Sequence, residues 1–417
     1  MKPTSGTIAP LPSFSPYQKR VVGMLAFLQF AVILDFMLMS PLGAMIMPAM
    51  AITPQQFGLA VSAYAFSAGL SGLATAGFAD RFDRKKLLLF FYSGFILGTV
   101  WCGLAETYHS LMMARIFTGL FGGVIGSVVM AIATDLYAPH MRGRVMGLLQ
   151  TAFGASQVLG LPFGLYLSAH WNWHAPFLFM AVLGLVGGLV VAWNMKPVDA
   201  HLSIAQEHSA WMHLYHTVTE PRYLLAFAAM SLLSTGGFML MPFSSTFIVN
   251  NLGVSFHELP ILYLVTGIAI ILFGPMIGKA ADRFGKFRIF TIGSGFTVVM
   301  ALVYTNLHTI PLYGLIIVNV LLFIGIFSRM IPFQAMISTV PSPVQRGSFS
   351  SISSSIQQLS GGVASALAGH IVSFGADGKL QHFNELGYVL VGTTLTTFVL
   401  LWFMNRNHII EPVSRTA

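Results

Sequence analysis

Ala79-Asp80-Arg81-Phe82-Asp83-Arg84-Lys85-Lys86 returns, little changed, as Ala281-Asp282-Arg283-Phe284-Gly285-Lys286-Phe287-Arg288, 202 residues further along the chain. Each copy is a short charged stretch wedged between long apolar runs. Charged, irregular backbone is excluded from hydrocarbon, so each copy reads as a tight turn at a membrane surface. The chain reads as two copies of one unit.

Composition supports a membrane setting. Hydrophobic residues make up 55% of the 417 and charged residues only 8%, whereas a soluble domain carries roughly a quarter charged residues. The net charge of +8 therefore calls first for a topological explanation. No basic stripe with interleaved aromatics is present, which argues against a nucleic-acid partner. Cys102 is the one cysteine and falls inside an apolar run, so no internal disulfide or cysteine-based metal site is expected. Met1 to Gln18 is polar, with no cleavage-type apolar core, so the first apolar run reads as a retained span.

A window of about 20 apolar residues yields twelve candidate spans. They cover 21–49, 57–79, 87–105, 110–138, 145–169, 175–194, 223–249, 260–281, 289–306, 311–338, 348–374 and 387–405. The expected fold is an all-α membrane protein, its twelve transmembrane helices arranged in two pseudo-symmetric six-helix bundles. The layout is a tail over 1–20, a bundle over 21–194, a central loop over 195–222, a second bundle over 223–406 and a tail over 407–417. Basic residues cluster on one side of this model, among them Lys19, Arg84, Lys85, Arg142, Lys196, Arg222, Arg288, Arg346 and Arg406, while the opposite loops hold Lys379. The positive-inside rule then makes both termini and the central loop cytoplasmic in a cytoplasmic (inner) membrane.

The repeat extends into the spans. Phe36-Met37-Leu38-Met39, followed by Ser40-Pro41, is matched by Phe238-Met239-Leu240-Met241-Pro242, again 202 residues apart. Parallel six-span repeats place a cargo site at their interface near the midplane and suit rocking-type alternating access.

With these features the chain resembles the major facilitator superfamily over nearly its whole length. The family's turn signature is similar to Ala76-Gly77-Phe78-Ala79-Asp80-Arg81-Phe82-Asp83-Arg84-Lys85, with Ala76 and Asp83 replacing two glycines that the second copy keeps as Gly278 and Gly285. Gly160-Leu161-Pro162-Phe163-Gly164 and Trp171-Asn172-Trp173-His174-Ala175-Pro176-Phe177 resemble elements of the drug-proton antiporter and arabinose-efflux-like branch, departing from it at Asn172 and His174. The resemblance implies a transporter. It also implies that Asp80, Arg81, Arg84, Asp135 and Arg142, together with Asp282, Arg283 and Lys286, gate the bundles by latching them in an outward-open state.

Asp35 is the one acidic residue deep inside a span. An ionised group there costs about 2.5–3.5 kcal/mol on the lenient insertion scale, so it must face a cavity or a partner. It reads as a proton-coupling carboxylate or, more plainly, as half of a structural clamp. Its repeat counterpart is Gly237. Arg115 resembles the family's span 4 arginine, which is associated with proton transfer. Helix rise puts Asp35 about 16 Å and Arg115 about 7 Å from the outer ends of their spans, a gap that an arginine side chain largely closes. An Asp35–Arg115 pair that opens on protonation is therefore expected.

Arg329 sits in a half whose spans contain no acid. Its expected partner is a cargo anion, Asp35, or amides such as Gln334, Gln357 and Gln358, with snorkelling to the cytoplasmic interface as the alternative. Tyr64, Gln157 and Asn319 are further polar candidates for cargo binding. His201, His208, His213 and His216 lack metal-ligand spacing and read as a solvated loop. Trp171 and Trp173 fit an outer interfacial belt.

The chain is expected to be a monomeric, cofactor-free secondary transporter with protons, membrane lipid and a small-molecule substrate as partners, most simply a proton-driven exporter. A proton-coupled importer of an organic anion competes with it, as does a non-pumping lipid flippase or transport-like sensor. No nucleophile–base set or metal cluster occurs at useful spacing, so an enzyme is not expected.

Overall fold

A computed structural model describes residues 14–75, 79–199, 202, 217–342 and 345–410. The central-loop histidines and Ala76 lie outside the described residues, as do the side chains of Asp80 and Arg346.

The first half contains α1 (Pro16–Leu38), α2 (Gly43–Ala49), α3 (Pro54–Thr75), α4 (Arg84–Gly103), α5 (Tyr108–Leu136), α6 (Pro139–Ala155), α7 (Leu161–His170) and α8 (Ala175–Asn194). The second contains α9 (Pro221–Leu240), α10 (Ser244–Asn250), α11 (Leu259–Phe284), α12 (Lys286–Thr305), α13 (Leu312–Ile337), α14 (Arg346–Ile371) and α15 (Phe383–Arg406). Strand structure among the described residues is confined to a hairpin of β1 (Ser373–Phe374) and β2 (Leu380–Gln381). Helices dominate because hydrocarbon offers no partner for a backbone amide, and a helix satisfies its own.

Each half has one end where the basic loops and chain termini meet. In the first half, Tyr137 Oη donates to Gln18 O at 2.6 Å and Arg84 N to Val198 O at 3.0 Å. In the second, Ser342 N donates to Tyr223 Oη at 3.2 Å and Thr339 Oγ1 to Ile410 O at 3.0 Å. We call this the basic end and its opposite the far end. Between them, Val182, Leu185, Val186 and Leu189 on α8, and Ile261, Ile268, Leu272 and Met276 on α11, are exposed. Their helical spacing makes apolar stripes suited to acyl chains.

Among the described residues, ten helices are long and apolar enough to cross a membrane. Two further helical stretches fall short of that standard. One is α6 and α7, joined through a π-helical segment at Ser156–Gly160. The other is α14, which carries Ser350, Ser351, Ser353, Ser354, Ser355, Gln357 and Gln358. It packs most extensively against α3, which helps bury Ser353 and Ser355, while Ser350 and Ser354 stay exposed.

The spans expected over 21–49 and 223–249 are each broken. α1 stops at Leu38 and α9 at Leu240, 202 positions apart, and a turn then leads into the short α2 and α10. Pro41 and Pro242 explain both breaks, since neither has the amide needed to continue the helical ladder.

The turn copies differ for a local reason. Gly285 caps α11 with φ +97°, in a region that side chains disfavour. Asp83 has φ −54° and instead caps the start of α4, its carboxylate accepting from Lys85 N and Lys86 N. Trp171 is 69% exposed and suits an interfacial belt, but Trp173 does not. It is buried at 4% against His174 and Phe177. Burial there holds the His174 imidazole below its ordinary range.

Core packing differs between the ends. At the far end a single apolar core joins the halves, with Leu42, Ile46 and Met47 packed in the same cluster as Phe243, Phe247 and Ile248. Toward the basic end there are two cores. One, around Leu25, Leu88 and Val129, belongs to the first half. The other, around Phe227, Phe333 and Phe349, belongs to the second and touches Leu73 of the first.

Candidate functional site

Asp35 lies one turn before the end of α1, and Arg115 two turns into α5. Arg115 Nη1 donates to Asp35 Oδ2 at 3.0 Å, with both residues fully buried. Thr99 Oγ1 on α4 lies 3.2 Å from Asp35 Oδ1 and 3.0 Å from Phe95 O. A hydroxyl can give its proton to the carbonyl and accept one from a neutral carboxyl, so Thr99 serves either protonation state of Asp35. The Arg115 guanidinium sits over the Tyr64 ring at 4.5 Å. Cys102 Sγ and Thr118 Oγ1, 3.7 Å apart, complete the surroundings. Thr99 carried no sequence signal, because threonine is common in apolar spans.

Breaking such a pair by removing one member costs about 3–5 kcal/mol, because the survivor keeps a buried, unbalanced charge. That penalty is available to drive a rearrangement when the carboxyl is neutralised.

Arg329 is 2% exposed on α13, which excludes snorkelling. It does not meet Asp35, which is held by Arg115 within the first half. Its Nη1 donates to Thr394 Oγ1 on α15, and its Nε is sealed from solvent without a hydrogen-bond partner. A Cβ on Gly236 would lie 3.2 Å from Nη2, so α9 approaches the guanidinium closely.

The other polar candidates are scattered. Asn319 Nδ2 donates to Thr266 Oγ1 at 2.8 Å, tying α13 to α11. Tyr64 is buried beneath Arg115. Gln157 is half-buried on the π-helical segment, Gln357 and Gln358 are half-buried on α14, and Gln334 is exposed. An apolar cavity of about 200 Å³ separates α1 from α7 and α8 behind Leu34 and Leu38.

At the basic end, Arg84 Nε meets Asp135 Oδ2 at 3.2 Å. Arg142 donates to Tyr137 O at 3.2 Å and Thr134 O at 2.8 Å. These contacts stay within the first half. Arg81, Asp282 and Arg283 are exposed and Lys286 half-buried, with Arg283 over the Phe284 ring at 5.3 Å.

At the far end, by contrast, the halves touch backbone to backbone. A Cβ on Gly58 of α3 would fall 2.6 Å from Ser365 O and 3.1 Å from Gly369 Cα of α14. Gln55 Nε2 and His370 Nε2 lie 2.9 Å apart, and the His170 and His257 rings meet edge to face at 5.8 Å.

Two membrane-embedded bundles sharing one core at one end, with a buried ion pair in the first, define a transport protein of the two-bundle class. The chain belongs to the Major Facilitator Superfamily, whose model matches residues 25–365 and again 226–416. It is a multi-pass membrane transporter, not an enzyme. It is 26% identical to the uncharacterized MFS-type transporter YceJ of Bacillus subtilis over 93% of this chain and 95% of that protein. A shorter match, 31% identical, joins 28% of this chain to 22% of the multidrug resistance protein fnx1 of Schizosaccharomyces pombe. In fold it is similar to a bacterial homolog of the human lysosomal transporter Spinster, crystallised inward-facing and unoccupied, with TM-score 0.67 and 18% identity over 95% of this chain and 97% of that one.

Proposed function

We propose that this transporter exports a small organic molecule across a bacterial-type cytoplasmic membrane in exchange for protons. The observation that carries the reading is the sealed Asp35–Arg115 pair, 3.0 Å apart. It is a titratable device inside a span, with no evident need for so costly a structural brace. Asp35 takes up a proton from the outside and releases it inside, while cargo moves the opposite way.

The proposal includes twelve crossings, counting α6 with α7 and α14, a monomeric chain and both termini in the cytoplasm. Basic loops gathered at one end support that orientation. The basic end is then the cytoplasmic one, and its two separate cores suit a state open to the cytoplasm. The name of the partial relative fnx1 supports efflux, and the family's relation to proton antiporters supports the coupling.

In proteoliposomes, an imposed proton gradient should drive at least one member of a panel of nucleosides, amino acids, carboxylates and lipophilic cations against the proton flow. Cargo movement indifferent to the gradient and to an uncoupler would remove proton coupling.

Gating belongs to the basic end. By the family resemblance, Arg84 and Asp135, with Arg142, Asp80 and Arg81, form a latch that engages the Asp282, Arg283 and Lys286 turn when this end closes. Arg84→Ala removes a partly exposed ion pair worth about 1 kcal/mol, so the ratio of the two open states should change about five-fold. The readout is the distance distribution between nitroxides at Glu106→Cys and Asn306→Cys, both exposed at the far end. Cys102 is buried and stays unlabelled. An unchanged distribution would remove the latch.

Arg329 favours a second reading, import of an organic anion. A guanidinium sealed in the second bundle, with Nη1 on the Thr394 hydroxyl and Nε without a hydrogen-bond partner, has capacity for a carboxylate or phosphate. Arg329→Lys would then weaken an anionic cargo about ten-fold more than a neutral one, since the bidentate fork is lost. Equal effects on both would argue against contact with cargo.

A further inference from the structure

We propose that Tyr64, Phe36 and Phe238 form an aromatic relay carrying the charge state of the Asp35–Arg115 pair to the contact between the two bundles. The inference rests on the proton-coupled reading and makes these three positioning residues.

The rings are contiguous. Tyr64 lies under the Arg115 guanidinium at 4.5 Å, and its centroid is 5.2 Å from that of Phe36. Phe36 in turn lies 5.7 Å from Phe238 on α9. A Cβ on Gly361 of α14 would fall 2.9 Å from the Phe238 ring, so the path ends against the helix that α3 packs on most extensively.

Repeat symmetry explains why the path crosses where it does. Phe36 and Phe238 are counterparts 202 positions apart, so they meet where the two halves face one another. Asp35 precedes Phe36, and successive helical residues project about 100° apart. The carboxylate therefore points into the first bundle while its neighbour points at the second. One residue step joins the titrating group to the interface, and Tyr64 joins them a second time through space.

Among the described residues, the groups facing Asp35 are few. They are Arg115 on α5, Tyr64 on α3, and Thr99 and Cys102 on α4. The charged side chains of the other helices packed on α1 lie at the ends of the bundle, as with Arg142 of α6 and His170 of α7. With Asp35 ionised, the guanidinium has both a carboxylate and a ring face. Once the carboxyl is neutral, the Tyr64 face and the Cys102 sulfur remain beside the guanidinium, and the attraction to the ring is stronger out of water than in it. A guanidinium that moves against the ring displaces Phe36, and Phe36 bears on Phe238. The two-state element the relay biases is the far-end closure, which gives the coupling something discrete to shift.

The test uses the nitroxide pair at Glu106→Cys and Asn306→Cys at about pH 6 and about pH 8, with protonation of Asp35 followed by its carboxyl infrared band. The labelled but otherwise unsubstituted protein should shift its distance distribution with pH. Tyr64→Leu and Phe238→Leu should keep the carboxyl band but shrink that shift by at least about two-fold, while Tyr64→Phe, which keeps the ring face, should preserve it. A full shift in both leucine variants would overturn the relay and leave proton coupling standing. No shift in the unsubstituted protein would overturn both. Loss of the band in the leucine variants would also count against the relay, because the substitutions would then act on the ion pair itself.

Discussion

Asp35→Asn is expected to reduce proton-driven flux to background while leaving cargo–cargo exchange in place. The amide matches the carboxyl in shape and mimics its neutral form, so the substitution holds the first bundle in one of its two charge states. Arg115 then keeps a buried charge without its counterion, at a cost of about 3–5 kcal/mol. That cost should also appear as a lower melting temperature in detergent. Arg115→Gln, added to Asp35→Asn, removes the stranded charge, so the double variant should recover stability without recovering pumping. Stability and transport should therefore separate in the double variant. A single Asp35→Asn variant that pumps normally would dismiss the carboxylate from coupling and leave it a brace.

Gly58→Val should prevent the far end from closing. The new Cβ would sit 2.6 Å from Ser365 O, a backbone atom that cannot turn aside as a side chain would. Overpacking of this kind costs about 1–3 kcal/mol, which shifts a two-state population about 5- to 150-fold. The Glu106→Cys and Asn306→Cys pair should report a longer distance in this variant, and transport should fall with it. Gly278→Val is the control, because a Cβ there meets nothing within 4 Å. An unchanged distance in Gly58→Val would mean that the α3–α14 contact is not what holds the two halves together at that end.

Much of this architecture was legible in the sequence because the membrane enforces it. Apolar runs of span length, broken by turns that carry charge, leave few alternatives. The 202-residue repeat was visible in Ala79–Lys86 and in Phe36–Met39, but the paired helix breaks at Leu38 and Leu240 were not anticipated, since both stretches read as continuous spans. Met and Phe look alike to a hydropathy reading inside a helix and at its end. The Asp35–Arg115 contact was legible for a similar reason, since a lone acid in a span has few possible partners.

What escaped depends on packing rather than composition. Arg329 could not be given Thr394, because a hydroxyl in an apolar span gives no signal of the neighbour it will meet. Trp173 looks like Trp171 in sequence, yet it turns inward onto His174 and Phe177. The far-end seam runs through Gly58 and Gly369, where the missing side chain is the feature that matters. Among the turn residues, Asp83 looked like a departure from a glycine pattern. Its carboxylate caps α4 and needs no positive φ, so the substitution changes the turn's chemistry while keeping its place.

The most direct test of proton exchange is binding of cargo at two pH values. Purified protein would be screened by thermal shift against nucleosides, amino acids, carboxylates, lipophilic cations and lysolipids at about pH 6 and about pH 8, then titrated with the best ligand. Competition between one proton and one cargo molecule predicts affinity rising up to about ten-fold per pH unit, and a flat response in Asp35→Asn. Affinity indifferent to pH in the unsubstituted protein, or the same pH dependence retained in Asp35→Asn, would contradict exchange through this carboxylate.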